Sequence, residues 1–277
     1  EACGIIEEVG SDVTLFKVGD RVSHASMPIG AYSEKHIMPE NKLVPVPDGV
    51  SDEVASCVTL KGITAEYLLH RAYPLKKGDK VLYHAAAGAL GQILCPWANS
   101  IGAEIIGTVG SKEKEEIAKK NGCHHIINYT DKNFVEEVEK ILGKNGVDVV
   151  YYGVGLKTFE GSIEVLKIRG MMVAFGNASG YVDTIDVKKH INAKGLFFTR
   201  PSIAHYTIER EELLESAKKV FDAVLSGKFK IDISKKYSLD EVKQAHEDLE
   251  GRLLTGPAVI TVSYTHLTLP TIGEVVG

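Results

Sequence analysis

Lys80-Val81-Leu82-Tyr83-His84-Ala85-Ala86-Ala87-Gly88-Ala89-Leu90-Gly91 is the stretch on which the fold turns. Residues 80–84 read as a strand, 85–87 as a turn of small residues, and 88–101 as a helix. The spacing matches G-x-G-x-x-G with Ala86 in the first position, Gly88 in the second and Gly91 in the third. A glycine at 88 lets the backbone come close to a pyrophosphate, and one at 91 lets the helix pack against the sheet. The helix N-terminus offers unpaired N–H groups to the phosphate charge. The same motif describes a tight β–α turn with no ligand, so its surroundings have to decide.

Downstream, strands at 104–109, 125–128, 147–151 and 171–175 alternate with helices at 112–121, 133–142 and 158–166. That rhythm builds a parallel sheet with helices on both faces, an α/β fold of the Rossmann type, and supports a dinucleotide site at the first turn. Upstream the pattern differs. Strands at 5–9, 31–38 and 43–46, with a turn at Val18-Gly19-Asp20-Arg21-Val22 feeding another, follow one another without helices and end at Pro47-Asp48-Gly49. This reads as an antiparallel β unit. Ser51 caps a helix running toward Arg71. Late in the chain, helices at 209–225 and 239–249 and a strand at 257–262 return to the β unit, so the doubly wound sheet is inserted in it. Pro96 falls inside the first helix of the α/β unit, where it removes a donor and costs on the order of 3 kcal/mol unless the helix kinks.

The 277 residues suffice for one large or two modest domains. A 44% apolar and 25% charged composition is that of a soluble globular protein, and a net charge of -5 gives no pull toward nucleic acid or an anionic membrane. No apolar run approaches the roughly 18–20 residues that span a bilayer. Cys3, Cys57, Cys95 and Cys123 are scattered without a C-x-x-C pair, which suggests neither a disulfide framework nor a zinc ribbon. Free thiols fit a reducing compartment, hence a cytoplasmic enzyme.

An NAD site usually carries Asp or Glu at the tip of the second strand, about 20 residues on, to hold the ribose 2′-hydroxyl. Here the tip reads Gly107-Thr108-Val109-Gly110-Ser111-Lys112-Glu113-Lys114. Glycine, serine and ammonium groups suit a 2′-phosphate that a carboxylate would repel, so the expected cofactor is NADPH. Lys112 reads better as part of the solvated first turn of a helix.

Several separated blocks, in order and at their proper spacing, resemble the quinone oxidoreductases of the medium-chain dehydrogenase/reductase superfamily, relatives of ζ-crystallin. They are residues 84–91, Gly107-Thr108-Val109-Gly110, Ile127-Asn128-Tyr129, Phe175-Gly176-Asn177, Leu60-Lys61-Gly62-Ile63-Thr64 and Thr199-Arg200-Pro201-Ser202. The resemblance is strongest to the bacterial type. It implies a GroES-like β domain at 1–63, an NADPH-binding domain at 64–198, a return to the first domain at 199–262, and a cytoplasmic homodimer. It also implies a set of cofactor contacts. Thr64 would lie near the nicotinamide, and Ala87, Gly88, Ala89 and Leu90 would meet the pyrophosphate. Gly110, Lys114 and Tyr129 would surround the adenosine ribose and its phosphate. Phe175, Gly176, Asn177 and Ala178 would lie along the nicotinamide half, with Phe198 and Thr199 nearby, and Arg252 would close over the cofactor. Tyr129 by itself reads as a strand-end aromatic.

The chain departs from the resemblance in places. Tyr152-Gly153 stands where a small polar or acidic pair is common, which puts a ribose contact there in doubt. Glu1-Ala2-Cys3-Gly4-Ile5-Ile6 matches a block that follows about 60 residues in such proteins. The resemblance puts the main catalytic groups in that preceding segment, so the chain as it stands is expected to bind NADPH weakly and not to turn over quinone. Residues 263–277, including Tyr264-Thr265-His266-Leu267-Thr268-Leu269-Pro270-Thr271-Ile272, resemble read-through of non-native sequence and are set aside from the fold.

Zinc alcohol dehydrogenases share this architecture. Their structural zinc lobe needs four closely spaced cysteines, and none lies between Met38 and Pro47. Cys57 falls near the place of a catalytic thiolate but reads better as a small buried cysteine on a helix, and a catalytic zinc needs three protein ligands. His124 and His125 point to opposite faces of a strand and cannot share a metal. The expected reaction is therefore NADPH-dependent reduction of a small-molecule quinone without metal. Reduction of enones or alkenals, and a non-catalytic NADPH-binding role of the crystallin kind, are the alternatives. The acidic balance disfavours RNA as a partner.

Overall fold

The Ser51 hydroxyl accepts the Val54 N–H at 3.3 Å and opens the long helix α1 (Asp52–Tyr67). The division of the chain falls inside that helix. In the computed structural model, which describes residues 1–251, 253–262 and 266–269, one unit comprises Glu1–Ile63 with Thr207–Gly277 and the other Thr64–Tyr206. The second boundary lies beyond the 198–199 junction expected from sequence. The physical reason is that residues 200–206 stay tied to the α/β unit: Arg200 donates to the Ala174 carbonyl at 3.1 Å and Arg71 to the Tyr206 carbonyl at 2.9 Å.

The first unit opens with β1 (Ala2–Val9), β2 (Arg21–His24), β3 (Lys35–Ile37) and β4 (Val44–Pro45). The second unit holds β5 (Lys80–His84), α2 (Gly91–Ile101), β6 (Glu104–Val109), α3 (Lys112–Lys120), β7 (His125–Asn128), α4 (Phe134–Leu142), β8 (Val147–Tyr152), α5 (Phe159–Glu164), β9 (Leu166–Ala174) and β10 (Phe197–Thr199). The chain re-enters the first unit through α6 (Arg210–Leu225), β11 (Lys235–Ser238), α7 (Val242–Glu250), β12 (Ala258–Thr261) and β13 (His266–Leu269).

In the first unit β2 lies antiparallel to β1 and β4, around a small core of Ile6, Val22, Met38 and Leu43. β3 is shorter than the 31–38 strand expected, because the Ser33 hydroxyl bonds the Gly30 carbonyl and closes a turn ahead of it. The segment 263–277, set aside on sequence, does contribute an element. β13 runs parallel between β1 and β3, with His266 opposite Ile5 and Leu267 opposite Ile6, so its extended backbone meets the ladder groups that β1 and β3 present.

The second unit is one parallel sheet in the order β10-β9-β8-β5-β6-β7. All six residues of β8 and four of five in β5 are buried, as strands covered on both faces require. One core joins Leu82, Ile106, Ile127, Val150, Phe159 and Met172. The helix expected at 158–166 ends at Glu164, because Leu166 already pairs with Val147 and starts β9. α2 runs through Pro96, whose ring leaves the Gln92 carbonyl without its helical donor, and ends at Gly102 with φ 93°. Strand order reverses between β5 and β8, so the crevice at their carboxyl ends is the topological switch point of a doubly wound sheet. Among the described residues no helix is long and apolar enough to cross a membrane.

Candidate dinucleotide site

The turn after β5 is held from several sides. Ala86 N–H donates to the Thr108 carbonyl at 3.0 Å, fastening the turn to the neighbouring strand, and Gly88 N–H donates to the Ala85 carbonyl at 2.8 Å. Ala85 adopts φ 61°, the left-handed conformation that reverses the chain. The Gln92 side chain donates to the Ala87 carbonyl at 3.1 Å. A Cβ on Gly91 would stand 2.4 Å from the Ala86 carbonyl oxygen, which explains why this position is glycine. The regular helix starts at Gly91, not at Gly88, since the residues before it form the turn. Among the described residues no acceptor faces the N–H groups of Ala87, Ala89 or Leu90. With Gly88 exposed, these groups at a helix N-terminus offer donors that suit a pyrophosphate.

Directly beneath the turn His84 is buried. Its Nδ1 lies 3.0 Å from Thr108 Oγ1 and its Nε2 2.9 Å from Ser162 Oγ, while Ser162 donates its own proton to the Thr158 carbonyl at 2.6 Å. Ser162 must therefore accept from Nε2–H, and Nδ1 must accept from Thr108. Burial lowers the imidazole pKa to about 4 and keeps it neutral. The network joins the ends of β5 and β6 to α5. Sequence reasoning missed it; a histidine closing an otherwise apolar strand was the available signal.

At the end of β6, the Tyr129 hydroxyl lies over Gly110: a Cβ there would come within 2.5 Å of it. Ser111 caps α3, its oxygen accepting the Lys114 N–H at 3.4 Å, and its hydroxyl is the first cause holding the Glu113 carboxyl below its usual range. Asn128, opposite Val109 at the end of β7, donates to Glu115 at 3.1 Å. Gly110 and Tyr129 are thus brought together, with Lys114 in the first turn of the helix beside them. A hydroxyl, a backbone free of Cβ and a cation suit a phosphate monoester.

The third group lies across the switch point, at the ends of β8 and β9. Phe175 N–H and Gly176 N–H both point to the Tyr152 carbonyl, at 2.9 and 3.4 Å, and Ala178 N–H reaches the Gly153 carbonyl at 3.3 Å. The Phe175 ring is parallel to Tyr83 at 6.4 Å. Arg200 reaches Asn177 Oδ1 at 3.5 Å. Thr199 pairs with Val173 on β9, whereas Phe198 packs against the sheet core. Thr64 lies near the end of α1, hydrogen-bonded to Tyr67, whose ring stacks on Tyr206 at 4.6 Å. Arg71 covers Tyr206 and pairs with the fully buried Glu66 at 3.1 Å. Burial raises the Tyr67 hydroxyl to about 12. This stack, also unforeseen, braces the chain that carries Thr64. Arg252 lies outside the described residues.

The metal candidates do not converge. Cys57 is buried on α1, and desolvation pushes its thiol up to about 11. His124 Nδ1 accepts the Ile105 N–H, while His125 pairs with Glu104. Among the described residues no three His, Cys, Asp or Glu side chains are grouped to hold a metal ion.

Comparison with known proteins agrees with this arrangement. Residues 89–226 match the family described as zinc-binding dehydrogenase, and residues 1–48 the alcohol dehydrogenase GroES-like domain. A 2-haloacrylate reductase from a Burkholderia species is 45% identical over 263 residues, covering 94% of this chain and 79% of that protein. Quinone oxidoreductase 1 of Escherichia coli K12 is 42% identical over 263 residues, covering 94% and 80%. The crystal structure of Escherichia coli quinone oxidoreductase complexed with NADPH superposes with a TM-score of 0.88 at 40% identity, over 94% of this chain and 81% of that one. The parallel sheet with its phosphate turn, the GroES-like unit and these identities together place the chain in the quinone oxidoreductase family of the medium-chain dehydrogenase/reductase superfamily.

Proposed function

We propose that this chain is a cytoplasmic NADPH-dependent oxidoreductase whose substrate is a quinone. The observation that carries the reading is the pairing of the donor-rich turn at 87–90 with the Gly110–Tyr129–Lys114 tip at one end of the sheet. The first suits a pyrophosphate and the second a 2′-phosphate, the feature by which NADPH differs from NADH. Bound NADPH supplies a hydride; with one proton from solvent, a quinone becomes a hydroquinone. The chain's own part is to grip the adenosine half through Gly110, Tyr129 and Lys114, and to hold the pyrophosphate on the N–H groups of Ala87, Ala89 and Leu90. Phe175, Gly176, Asn177, Ala178, Thr199 and Thr64 fix the nicotinamide half. A quinone is electrophilic without a Lewis acid, so the proposal includes no metal. It also includes a homodimer, for which sedimentation is the direct measurement.

The test is NADPH oxidation with a benzoquinone, run beside NADH. Turnover with NADPH well above NADH supports the proposal; cofactor binding without turnover, both by this chain and by one with a family-type N-terminal segment added, would favour a non-catalytic role. A second reading, reduction of a conjugated carbon–carbon double bond, is favoured by the 45% identity to a 2-haloacrylate reductase. Faster turnover of 2-chloroacrylate than of benzoquinone would select it.

A further inference from the structure

Gly153 is the first residue after β8, at the switch point of the sheet. The Phe175 ring lies across it. A Cβ at 153 would stand 2.8 and 2.9 Å from two carbons at the tip of that ring and 3.7 Å from a third. Real Cβ contacts do not come that close, so the absence of a side chain at 153 is what allows the ring its place. The backbone around the pair is fixed. Tyr152 holds the N–H groups of Phe175 and Gly176, Gly153 holds that of Ala178, and a Cβ on Gly176 would come within 2.6 Å of the Gly153 carbonyl oxygen. Tyr83, itself buried, backs the ring in parallel at 6.4 Å. What gives way to a side chain at 153 is therefore the free end of the Phe175 ring.

We propose that Gly153 is a positioning residue for the nicotinamide half of the cofactor: by leaving its Cβ position empty it keeps the Phe175 ring withdrawn from the crevice at the ends of β8 and β9. This rests on the NADPH reading given above, in which Phe175 to Ala178 receive that half. The role is Gly153's own, since it acts through Phe175 and touches neither the phosphate turn nor the Gly110–Tyr129 tip.

The experiment compares the unaltered chain with Gly153→Ala, Phe175→Leu and the double variant. NADPH and adenosine 2′,5′-bisphosphate are titrated separately; the second probe carries only the adenosine half. Gly153→Ala should weaken NADPH about tenfold and leave the bisphosphate within twofold. The double variant should bind NADPH within twofold of Phe175→Leu alone, because the shorter side chain removes the collision. In the unliganded protein, the ring-current shift of the Gly153 Hα protons by Phe175 should be present, and lost in Phe175→Leu. Unchanged NADPH binding in Gly153→Ala overturns the inference. So does equal weakening of both probes, which would mean general damage, or failure of the double variant to recover. If the unaltered chain binds neither probe, it is the NADPH reading that falls.

Discussion

The Tyr129 hydroxyl occupies the space that a Cβ on Gly110 would need, 2.5 Å from it, so these two residues from the ends of β7 and β6 define one small site. Lys114 stands in the first turn of the helix that Ser111 caps beside it. Lys114→Ala should weaken NADPH by about 1–3 kcal/mol and leave NADH nearly unchanged, since only the 2′-phosphate meets the ammonium group. Titration of both cofactors decides it: equal weakening would remove Lys114 from the site. Gly110→Ala should displace the Tyr129 ring and act in the same direction.

His84 makes stability depend on acid. Its folded-state pKa of about 4 lies below the ordinary 6.5, so the unfolded chain binds the extra proton first. Stability is then full above about pH 6.5 and falls as the pH drops toward 4, by on the order of 3 kcal/mol from this group. His24, buried against His36 at 5.0 Å and also lowered to about 4 by burial, adds to the loss in the same window. Urea midpoints at pH 7.5 and 4.5 measure the effect. His84→Gln should be less stable at pH 7.5 yet show a flatter pH dependence; an unchanged slope would dismiss this account of His84.

The sheet and its phosphate turn were legible because local pattern determines them: apolar strands, a turn of small residues and a helix follow in order from 80 to 101. The tip at 107–112 was legible by what it lacks, an acid before Glu113. The packing of Tyr129 on Gly110 was not, since it depends on β6 and β7 being neighbours with Val109 opposite Asn128. The His84–Thr108–Ser162 network and the Tyr67–Tyr206–Arg71 stack join residues 24 to 139 positions apart, and no periodicity reports such pairings. Element ends drifted for the same kind of reason. β3 is cut short by the turn at Ser33, and β9 begins early because Leu166 finds a partner on β8.

The purified protein should hold no stoichiometric zinc and keep its NADPH affinity in a chelator. Among the described residues no three His, Cys, Asp or Glu side chains are grouped to hold a metal ion, and His124 and His125 each spend a ring nitrogen, on the Ile105 N–H and on Glu104. Elemental analysis checks this. One zinc per chain, lost together with cofactor binding on chelation, would contradict it.

The last prediction separates two glycines of the same turn. A Cβ on Gly91 would lie 2.4 Å from the Ala86 carbonyl oxygen and 2.7 Å from its carbon, both backbone atoms fixed by the bond from Ala86 N–H to Thr108. Neither can yield without breaking the turn from the sheet, so Gly91→Ala should cost about 1–3 kcal/mol of stability or more. At Gly88 the nearest atom is the Ala85 carbonyl oxygen at 3.1 Å, and the residue is exposed. Gly88→Ala should therefore fold with stability within about 1 kcal/mol of the unaltered chain. Its methyl group would instead stand beside the N–H groups of Ala87, Ala89 and Leu90 and keep a phosphate from close approach, weakening NADPH tenfold or more, about 1.4 kcal/mol. Urea unfolding and NADPH titration on the two variants make a crossed pair. Gly91→Ala loses stability first, whereas Gly88→Ala loses the cofactor at nearly full stability. If Gly88→Ala binds NADPH as well as the unaltered chain does, the pyrophosphate does not sit on this turn.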